Sequence, residues 1–367
     1  MASTIFIDNT KDNKTAKKID EQLFELSKQI EFALINPTNI LHEKKLVHAD
    51  PSYDPIFEYE KKDFTEVINE LESLEMHDSE IGLLLEEKRK LSLHKAKSLH
   101  HRGTPNFTKH SLNAYGRGTK TLLEDAKKLL ELNSEEREKT ETPEKVVNAL
   151  RAELTHHGFE YFVDSTDMSA SAMVQPSKKR VLVNKHRIYS KHFVKVLLVH
   201  EIGTHVLRAE NGRIQPFKLF SYGLPNYMST EEGLAVVNEE KNGLLDKRIL
   251  KGYAARAIAT DMALDKSFSE IYQFLSDKLS PDAAFQYALR SKRGIRDTSK
   301  SGGCTKDYAY LDGYIKVKNF LSAGGNIKDL YYGKIGLEHI DIVKKIPGIK
   351  TPQFLPRKDL FKNLSSF

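Results

Sequence analysis

The pattern of apolar and polar positions before residue 140 is typical of amphipathic helices. Apolar side chains recur at near-helical spacing over residues 18–34, in two patterns between residues 63 and 101, and again over residues 120–132. Gly103 to Asn106 interrupts this series with the residue types that favour turns. We therefore predict a mostly helical N-terminal region over residues 1–140.

The pattern changes at Pro143. Residues 143–157 are amphipathic, with proline at the start and glycine just past the end, as helix termini prefer. Three short β-like runs follow at 159–163, 172–174 and 180–183. A turn over residues 176–179 would pair the last two runs. If the run at 180–183 formed an edge strand, it could also pair with an extended peptide.

A central helix follows this predicted sheet. Ser190 is a good N-cap, and Asn211-Gly212 is expected to end the helix after about Glu210. Helical patterns resume at Thr230 and continue with one interruption at residues 299–303. Helix, small sheet and central helix is the order of zinc peptidases of the zincin class. We therefore predict an α+β fold with a zincin-like catalytic domain over residues 141–367.

Composition narrows the class of protein. The 367 residues are 39% hydrophobic and 29% charged, which is a globular balance, and the longest apolar run is far too short to span a bilayer. The net charge of +6 is spread along the chain, so we expect neither a nucleic-acid nor a membrane partner. The N-terminus lacks the pattern of a secretory signal. One cysteine, Cys304, leaves no disulfide framework, so a cytoplasmic location is expected.

Candidate chemistry is concentrated in the central helix, at His200-Glu201-Ile202-Gly203-Thr204-His205. The common zinc peptidase motif is H-E-x-x-H, and this one is a residue longer. Residues i and i+5 point about 140° apart on a regular α-helix, so both imidazoles could not reach one ion. A π-turn at Gly203 and Thr204 would realign them. We predict such a turn.

A third ligand is required, because catalytic zinc usually has three protein ligands and one open position. The candidate segment is Thr230-Glu231-Glu232-Gly233-Leu234-Ala235, at the start of the next helix. We assign one zinc ion to His200, His205 and Glu232, with Glu231 as the alternative, and the role of general base to Glu201. Ser229 and Glu232 also have the spacing of a capping box, a structural role that competes for the same carboxylate.

These two motifs resemble the microtubule-associated tyrosine carboxypeptidase family, whose prokaryotic relatives are called flavohaemoglobin expression-modulating QEGLA-motif proteins. The H-E-x-x-x-H spacing is the family's own, and this chain has Glu231 where the relatives' Gln-Glu-Gly-Leu-Ala motif has glutamine. Residues 302–307 and 310–313 also resemble segments of this family. The resemblance implies a zinc metallocarboxypeptidase acting on a peptide or protein C-terminus. The family's eukaryotic members remove a C-terminal tyrosine from tubulin.

A carboxypeptidase needs a cation for the substrate's terminal carboxylate and a donor for the developing oxyanion. We choose Arg296 and Lys306 as cations and Tyr310 as donor. The alternatives are Arg293, Tyr222, Tyr227 and Tyr314.

Two other function classes stay open. One is a zinc amidohydrolase acting on a non-peptide amide, and the other is a non-catalytic regulatory protein on a metallopeptidase fold. The sequence leaves the substrate protein and the oligomeric state undetermined, and manganese, cobalt or iron could replace zinc.

Overall fold

The computed structural model describes residues 9–134, 137–168 and 170–357. The fold class is α+β, with many helices and one small sheet. The outer ends of the two predicted regions, residues 1–8 and 358–367, lie outside the described residues. None of the helices within the described ranges has the length and apolar character needed to cross a membrane.

The helices before the sheet are α1 (Asn9–Gln29), α2 (Ile40–Ala49), α3 (Thr65–Ser73), α4 (Glu80–His100), α5 (Asn106–Tyr115), α6 (Lys120–Leu130) and α7 (Pro143–His156). The periodicity predicts most of them, and α7 has Pro143 in its first turn and Thr142 as a side-chain N-cap. The apolar spacing at 18–34 was only partly correct, because α1 ends at Gln29 and a 3₁₀ turn follows at Phe32–Ile35.

The sheet contains β1 (Phe162–Thr166), β2 (Ala172–Gln175) and β3 (Arg180–Asn184) in the order β1-β3-β2. Strand β3 is parallel to β1 and antiparallel to β2, which it meets through the turn at Pro176–Lys178. The sequence placed the first strand at 159–163, three residues too early. The suggestion that β3 is a free edge for peptide pairing is wrong, since β3 lies in the centre of this sheet.

The helices after the sheet are α8 (Lys191–Leu197), α9 (Leu207–Arg213), α10 (Leu219–Tyr222), α11 (Tyr227–Lys241), α12 (Lys247–Met262), α13 (Phe268–Ser276), α14 (Pro281–Lys292), α15 (Ala309–Ser322) and α16 (Ile340–Lys345). A π-helix, Leu198–Val206, joins α8 to α9. Ser190 caps α8 as predicted, its Oγ accepting a hydrogen bond from the Phe193 N–H at 3.2 Å.

The prediction that Asn211-Gly212 ends the central helix is wrong, because α9 continues to Arg213. Asn211 is fully buried and binds the C-terminal segment instead: its Nδ2 donates to the Phe354 carbonyl, and its Oδ1 accepts from the N–H groups of Gln353 and Phe354. Gly212 allows the chain at Phe220 to approach, since a Cβ there would lie 2.1 Å from the Phe220 carbonyl oxygen.

Two apolar cores hold the central helix in place. On one side, Leu198, Ile202 and Val206 of the π-helix pack with α7 and with Val181 and Val183 of β3. On the other side, side chains of α1, α3 and α4 join a second core that includes Leu207, Phe220 and Leu234. The central helix is therefore buried between the sheet and the N-terminal helices, which positions its polar face against α11.

Candidate metal centre

The π-helix brings His200 and His205 to one side of the central helix. The backbone hydrogen bonds of a π-helix join residues i and i+5, which is the geometry that the longer motif requires. The prediction of a π-turn is therefore confirmed. The imidazole ring centroids lie 4.9 Å apart.

Buried side chains stabilise this turn. Thr204 Oγ1 donates a hydrogen bond to the Val199 carbonyl at 3.2 Å, and Tyr331 Oη donates to the Gly203 carbonyl at 2.9 Å. Asn238 of α11 then donates one N–H to Thr204 Oγ1 and the other to Tyr331 Oη, both at 2.8 Å. These contacts give carbonyl groups of the π-helix buried side-chain donors. The motif residue Thr204 thus has a structural role in the turn.

Glu232 of α11 faces both imidazoles. Its Oε2 atom lies 3.3 Å from His200 Nε2 and 3.8 Å from His205 Nε2. The three candidate ligand atoms lie within 4.8 Å of one another. Two ligands of a tetrahedral zinc ion, with bonds of about 2.1 Å, are separated by about 3.4 Å. His200, His205 and Glu232 could therefore hold one metal ion with little movement.

The hydrogen bonding of Glu232 supports the same conclusion. Its Oε2 atom is buried, and within the described residues it makes no hydrogen bond of acceptable geometry, although His200 Nε2 is near. A buried carboxylate oxygen without a donor costs free energy unless another positive group meets it. Burial raises the pKa of Glu232, but the neighbouring imidazoles and Lys306 lower it more, to about 2. An ionised carboxylate at this point fits a cation.

Each imidazole is oriented by a second acid on its other nitrogen. His200 Nδ1 lies 2.7 Å from Glu239 Oε1, and His205 Nδ1 lies 2.7 Å from Glu231 Oε1. Ionised carboxylates only accept, so each Nδ1 carries the donated proton, and in the neutral ring Nε2 presents a lone pair toward Glu232. Three electron-rich atoms then face one point, which is the usual arrangement around a histidine-bound metal.

The two supporting acids are themselves paired. Besides His205, Glu231 contacts the guanidinium of Arg208 at 3.2 Å and the ammonium of Lys334. Burial raises the pKa of Glu231, but Lys334, His205 and Arg208 together lower it well below its usual range. Tyr253 Oη donates to Glu239 at 3.2 Å. Glu231, the alternative ligand from the sequence, thus lies on the far side of His205 from Glu232.

The capping-box interpretation of Ser229 and Glu232 is wrong. Helix α11 begins at Tyr227, so Ser229 lies inside it, and its hydroxyl donates to Asp312 Oδ2 at 2.8 Å. The start of this helix was missed because Asn226, which adopts a left-handed conformation before it, makes no side-chain cap. The role that competed for the Glu232 carboxylate is therefore absent from the described structure.

The remaining predicted site residues are divided between this centre and other parts of the fold. Glu201 is buried next to His200 in the π-helix. Tyr310 stacks on Tyr253 with centroids 5.4 Å apart, and Lys306 is close enough to lower the pKa of Glu232. Tyr227 also lies near, since Glu231 and Glu232 add to the effect of burial in raising its pKa.

Other candidates lie elsewhere. Arg296 is exposed, and its carbonyl accepts from the Phe57 N–H in a segment near Gly103. Tyr222 bonds to Asp20, while Tyr314 bonds to Glu240 on the outer side of α11. Arg293 is buried and lies 3.7 Å from Asp307. Lys306 and Tyr310 are therefore near enough to interact electrostatically with Glu232, whereas Arg296 lies at the surface.

The sequence interpretation missed Glu239 and Lys334. Glu239 follows Glu232 by seven residues on one helix, so the two share a face, and this spacing was a usable signal. Lys334 lies far along the chain in a loop, where only the fold brings it to Glu231.

Comparison with known proteins extends the likeness to most of the chain. The family model for microtubule-associated tyrosine carboxypeptidase matches residues 44–365. Microtubule-associated tyrosine carboxypeptidase 1 of Rattus norvegicus is 33% identical over 210 residues, which cover 54% of this chain and 44% of the rat protein. MATCAP2 of Mus musculus is 31% identical over 175 residues, 45% of this chain and 33% of the mouse protein. The matched segments thus span less than half of these relatives.

Proposed function

The chain belongs to the microtubule-associated tyrosine carboxypeptidase family, and we propose that it is a zinc metallopeptidase that removes a C-terminal, tyrosine-like residue from a peptide or protein. The observation that carries this proposal is the convergence of His200, His205 and Glu232, whose ligand atoms lie within 4.8 Å of one another. The order of α7, the small sheet and the central helix supports a zincin-like catalytic domain. The names of the relatives support carboxypeptidase activity.

Zinc fits the donor set best. Two imidazoles, one carboxylate and an open position are typical of catalytic zinc, which when bound activates water and polarises a carbonyl group. Manganese, cobalt and iron also accept such ligands, so metal content must be measured. In the chain, Glu239 and Glu231 would hold the two imidazoles in the tautomer that leaves Nε2 free for the ion.

Glu201 is the proposed general base. It follows the ligand His200 directly and is only 7% exposed, so its carboxylate is shielded from bulk water. It takes a proton from the attacking water as the oxygen bonds to the scissile carbonyl carbon. When the carbon–nitrogen bond breaks, the same carboxyl group passes that proton to the leaving amine. The products are the shortened peptide with a new carboxylate and the free amino acid.

Tyr310 is the proposed donor to the carbonyl oxygen as negative charge develops on it. It lies beside Glu232 and is supported by the ring of Tyr253 and by the Arg256 guanidinium, 4.3 Å from the Tyr310 ring centroid. Burial raises the pKa of Tyr310, which keeps the phenol protonated and able to donate. We propose that the enzyme acts in the cytoplasm, because the chain's single cysteine is unpaired.

Replacing Glu201 with glutamine tests this function. We expect the zinc-loaded variant to release tyrosine from a peptide ending in tyrosine at least about 100-fold more slowly than the wild type, because the proton acceptor is lost. Zinc content should stay near one per chain, since the ligands are untouched. Glu240→Gln is the matched control, because Glu240 is exposed and pairs with Lys318 on the outer face of α11.

The outcome separates the classes of function. Full activity in Glu201→Gln would contradict the assigned role. A wild-type protein that cleaves small amides but no peptide would be an amidohydrolase, and a zinc-bound wild type inert on both would be a regulatory protein. Released tyrosine is measured by mass spectrometry, which distinguishes loss of the terminal residue from cleavage within the peptide.

A further inference from the structure

Two lysines near the candidate metal centre lack a direct ion-pair partner in the part of the chain that the structure describes. Lys95 projects from α4 of the N-terminal helices, and Lys306 lies in the 3₁₀ turn Thr305–Tyr308. Both are partly buried. Across the described ranges, neither ammonium group forms an ion pair or a hydrogen bond with the protein. Neighbouring cations differ in this respect, since Lys334 pairs with Glu231 and Arg290 pairs with Asp307.

Aromatic rings surround the two ammonium groups. Lys95 Nζ lies 5.8 Å from the ring centroid of Tyr115 and 5.9 Å from that of Tyr227. Lys306 Nζ lies 5.6 Å from the centroid of Phe32, whose ring makes an edge contact with Tyr115 at 6.0 Å. The aromatic rings stabilise the ammonium groups by cation–π interactions but carry no negative charge that would neutralise them. The two lysines and three rings therefore form one cluster, which we call the lysine–aromatic recess.

The charges in this recess repel one another. Burial lowers the pKa of Lys95 to about 8, and Lys306 and Lys334 contribute to the shift. Burial likewise lowers the pKa of Lys306, and Arg293 and Arg290 add to this shift while Asp307 and Glu232 oppose it. Like charges held together in a partly dry site cost free energy, and such arrangements are concentrated at functional sites. A bound anion would remove this cost.

The recess adjoins the reacting centre. The ring centroid of Tyr227 lies 5.9 Å from Lys95 Nζ and 5.4 Å from Lys334 Nζ, and Tyr227 is on α11, the helix that carries Glu232. Lys334 in turn contacts Glu231, the partner of His205. An anion held between Lys95 and Lys306 would therefore lie beside a peptide bond positioned at the metal ligands.

We propose that Lys95 and Lys306 together bind the terminal carboxylate of the peptide substrate, with the terminal side chain packed against Phe32, Tyr115 and Tyr227. This inference rests on the proposed function, because a carboxylate in this position belongs to the residue that is released. It makes the N-terminal helices part of the substrate site. The two lysines would also explain why the enzyme hydrolyses only the last peptide bond of a substrate with a free C-terminal carboxylate.

The test compares two peptides that end in tyrosine and differ only in a terminal carboxylate or a terminal amide. Binding is measured by fluorescence anisotropy in the Glu201→Gln background, so cleavage does not interfere. We expect the carboxylate peptide to bind roughly 10- to 100-fold more tightly than the amide, as for hydrogen bonds to charged groups. Adding Lys95→Met should remove most of that preference and leave amide binding unchanged.

Unchanged amide binding also shows that the variant is folded, and Lys306→Met should repeat the result independently. The matched control is Lys90→Met on the same helix, because Lys90 is exposed and pairs with Glu86. Equal binding of both peptides, or a Lys95→Met variant that keeps the preference, would overturn the carboxylate assignment. Failure of the zinc-loaded wild type to hydrolyse either peptide contradicts the proposed function instead, and the recess is then judged on binding alone.

Discussion

Glu239 supplies no ligand atom to the candidate metal centre, yet it orients one of the ligands. It is fully buried, it accepts from His200 Nδ1 at 2.7 Å, and Tyr253 holds its carboxylate from the other side. Such outer partners select the tautomer of a metal-binding histidine and raise its basicity. Glu239 is therefore expected to influence the affinity of the centre for a metal ion through His200.

Replacing Glu239 with glutamine should weaken zinc binding by about 10- to 100-fold, because the amide is a poorer acceptor and carries no charge. The dissociation constant is measured by competition with a chromogenic chelator. Glu240→Gln, one residue along the same helix, should leave the zinc affinity unchanged, since Glu240 contacts Tyr314 and Lys318 at the surface. Equal affinity of the two variants would show that Glu239 does not act through His200.

For individual residues, the sequence predicts those that belong to a recognisable motif. It misses those that reach the site only through the folding of distant segments. Spacing and residue type indicate His200, His205 and the adjacent pair Glu231 and Glu232, of which Glu232 is the assigned ligand. They do not indicate Lys334 or Lys95, because nothing local distinguishes these two among the chain's 57 basic residues. Arg296 is a suitable residue type for binding a carboxylate, and the fold places it at the surface.

Between elements, the crossing of α11 and α15 determines where Glu232 lies. Gly233 and Gly313 meet at this crossing, and a Cβ on Gly233 would lie 2.1 Å from the Gly313 carbonyl carbon. A contact that close is with backbone and cannot be relieved by a side-chain rotation. The glycine of the Glu-Glu-Gly-Leu-Ala segment is thus explained by packing, directly next to the proposed ligand.

Two glycine variants should therefore behave differently. Gly233→Ala should lower the free energy of unfolding by about 3 kcal/mol or more, because the helices must separate. It should also lower zinc content by displacing Glu232. Gly203→Ala should change the free energy of unfolding by less than about 1 kcal/mol, since its Cβ would meet only the Leu198 carbonyl oxygen at an ordinary 3.7 Å.

Urea unfolding of the purified variants measures both effects. A Gly233→Ala protein as stable as the wild type would mean that the two helices can move apart freely. A strongly destabilised Gly203→Ala protein would mean that the π-helix depends on the glycine itself rather than on Thr204, Asn238 and Tyr331.

Elements were predictable where one local signal dominates. The π-turn follows from the motif spacing, and α7 follows from its proline and threonine cap. The start of α11 was missed because Asn226 makes no side-chain cap, and the end of α9 and the place of β3 in the sheet were missed because long-range contacts decide them. Asn211, for example, looks like a helix stop but is held by the chain near Phe354.

Across the whole molecule, the N-terminal helices pack directly on the segment that leads into α11. Asp20 of α1 accepts hydrogen bonds from the N–H groups of Lys218 and Leu219, and Lys88 of α4 donates to the Tyr222 carbonyl at 3.3 Å. The same side of α4 carries Lys95 into the lysine–aromatic recess. The helical region that precedes the sheet therefore supports the site and, in our proposal, completes it.

The proposed activity depends on a metal ion held by His200, His205 and Glu232, and the metal content of the purified protein shows whether such an ion is bound. Elemental analysis of purified wild type and His205→Ala in parallel should find about one zinc per chain in the wild type and almost none in the variant, because one of three protein ligands is lost. Both proteins must be folded by circular dichroism. A folded wild type that holds no metal after zinc is supplied would contradict the assignment of His200, His205 and Glu232.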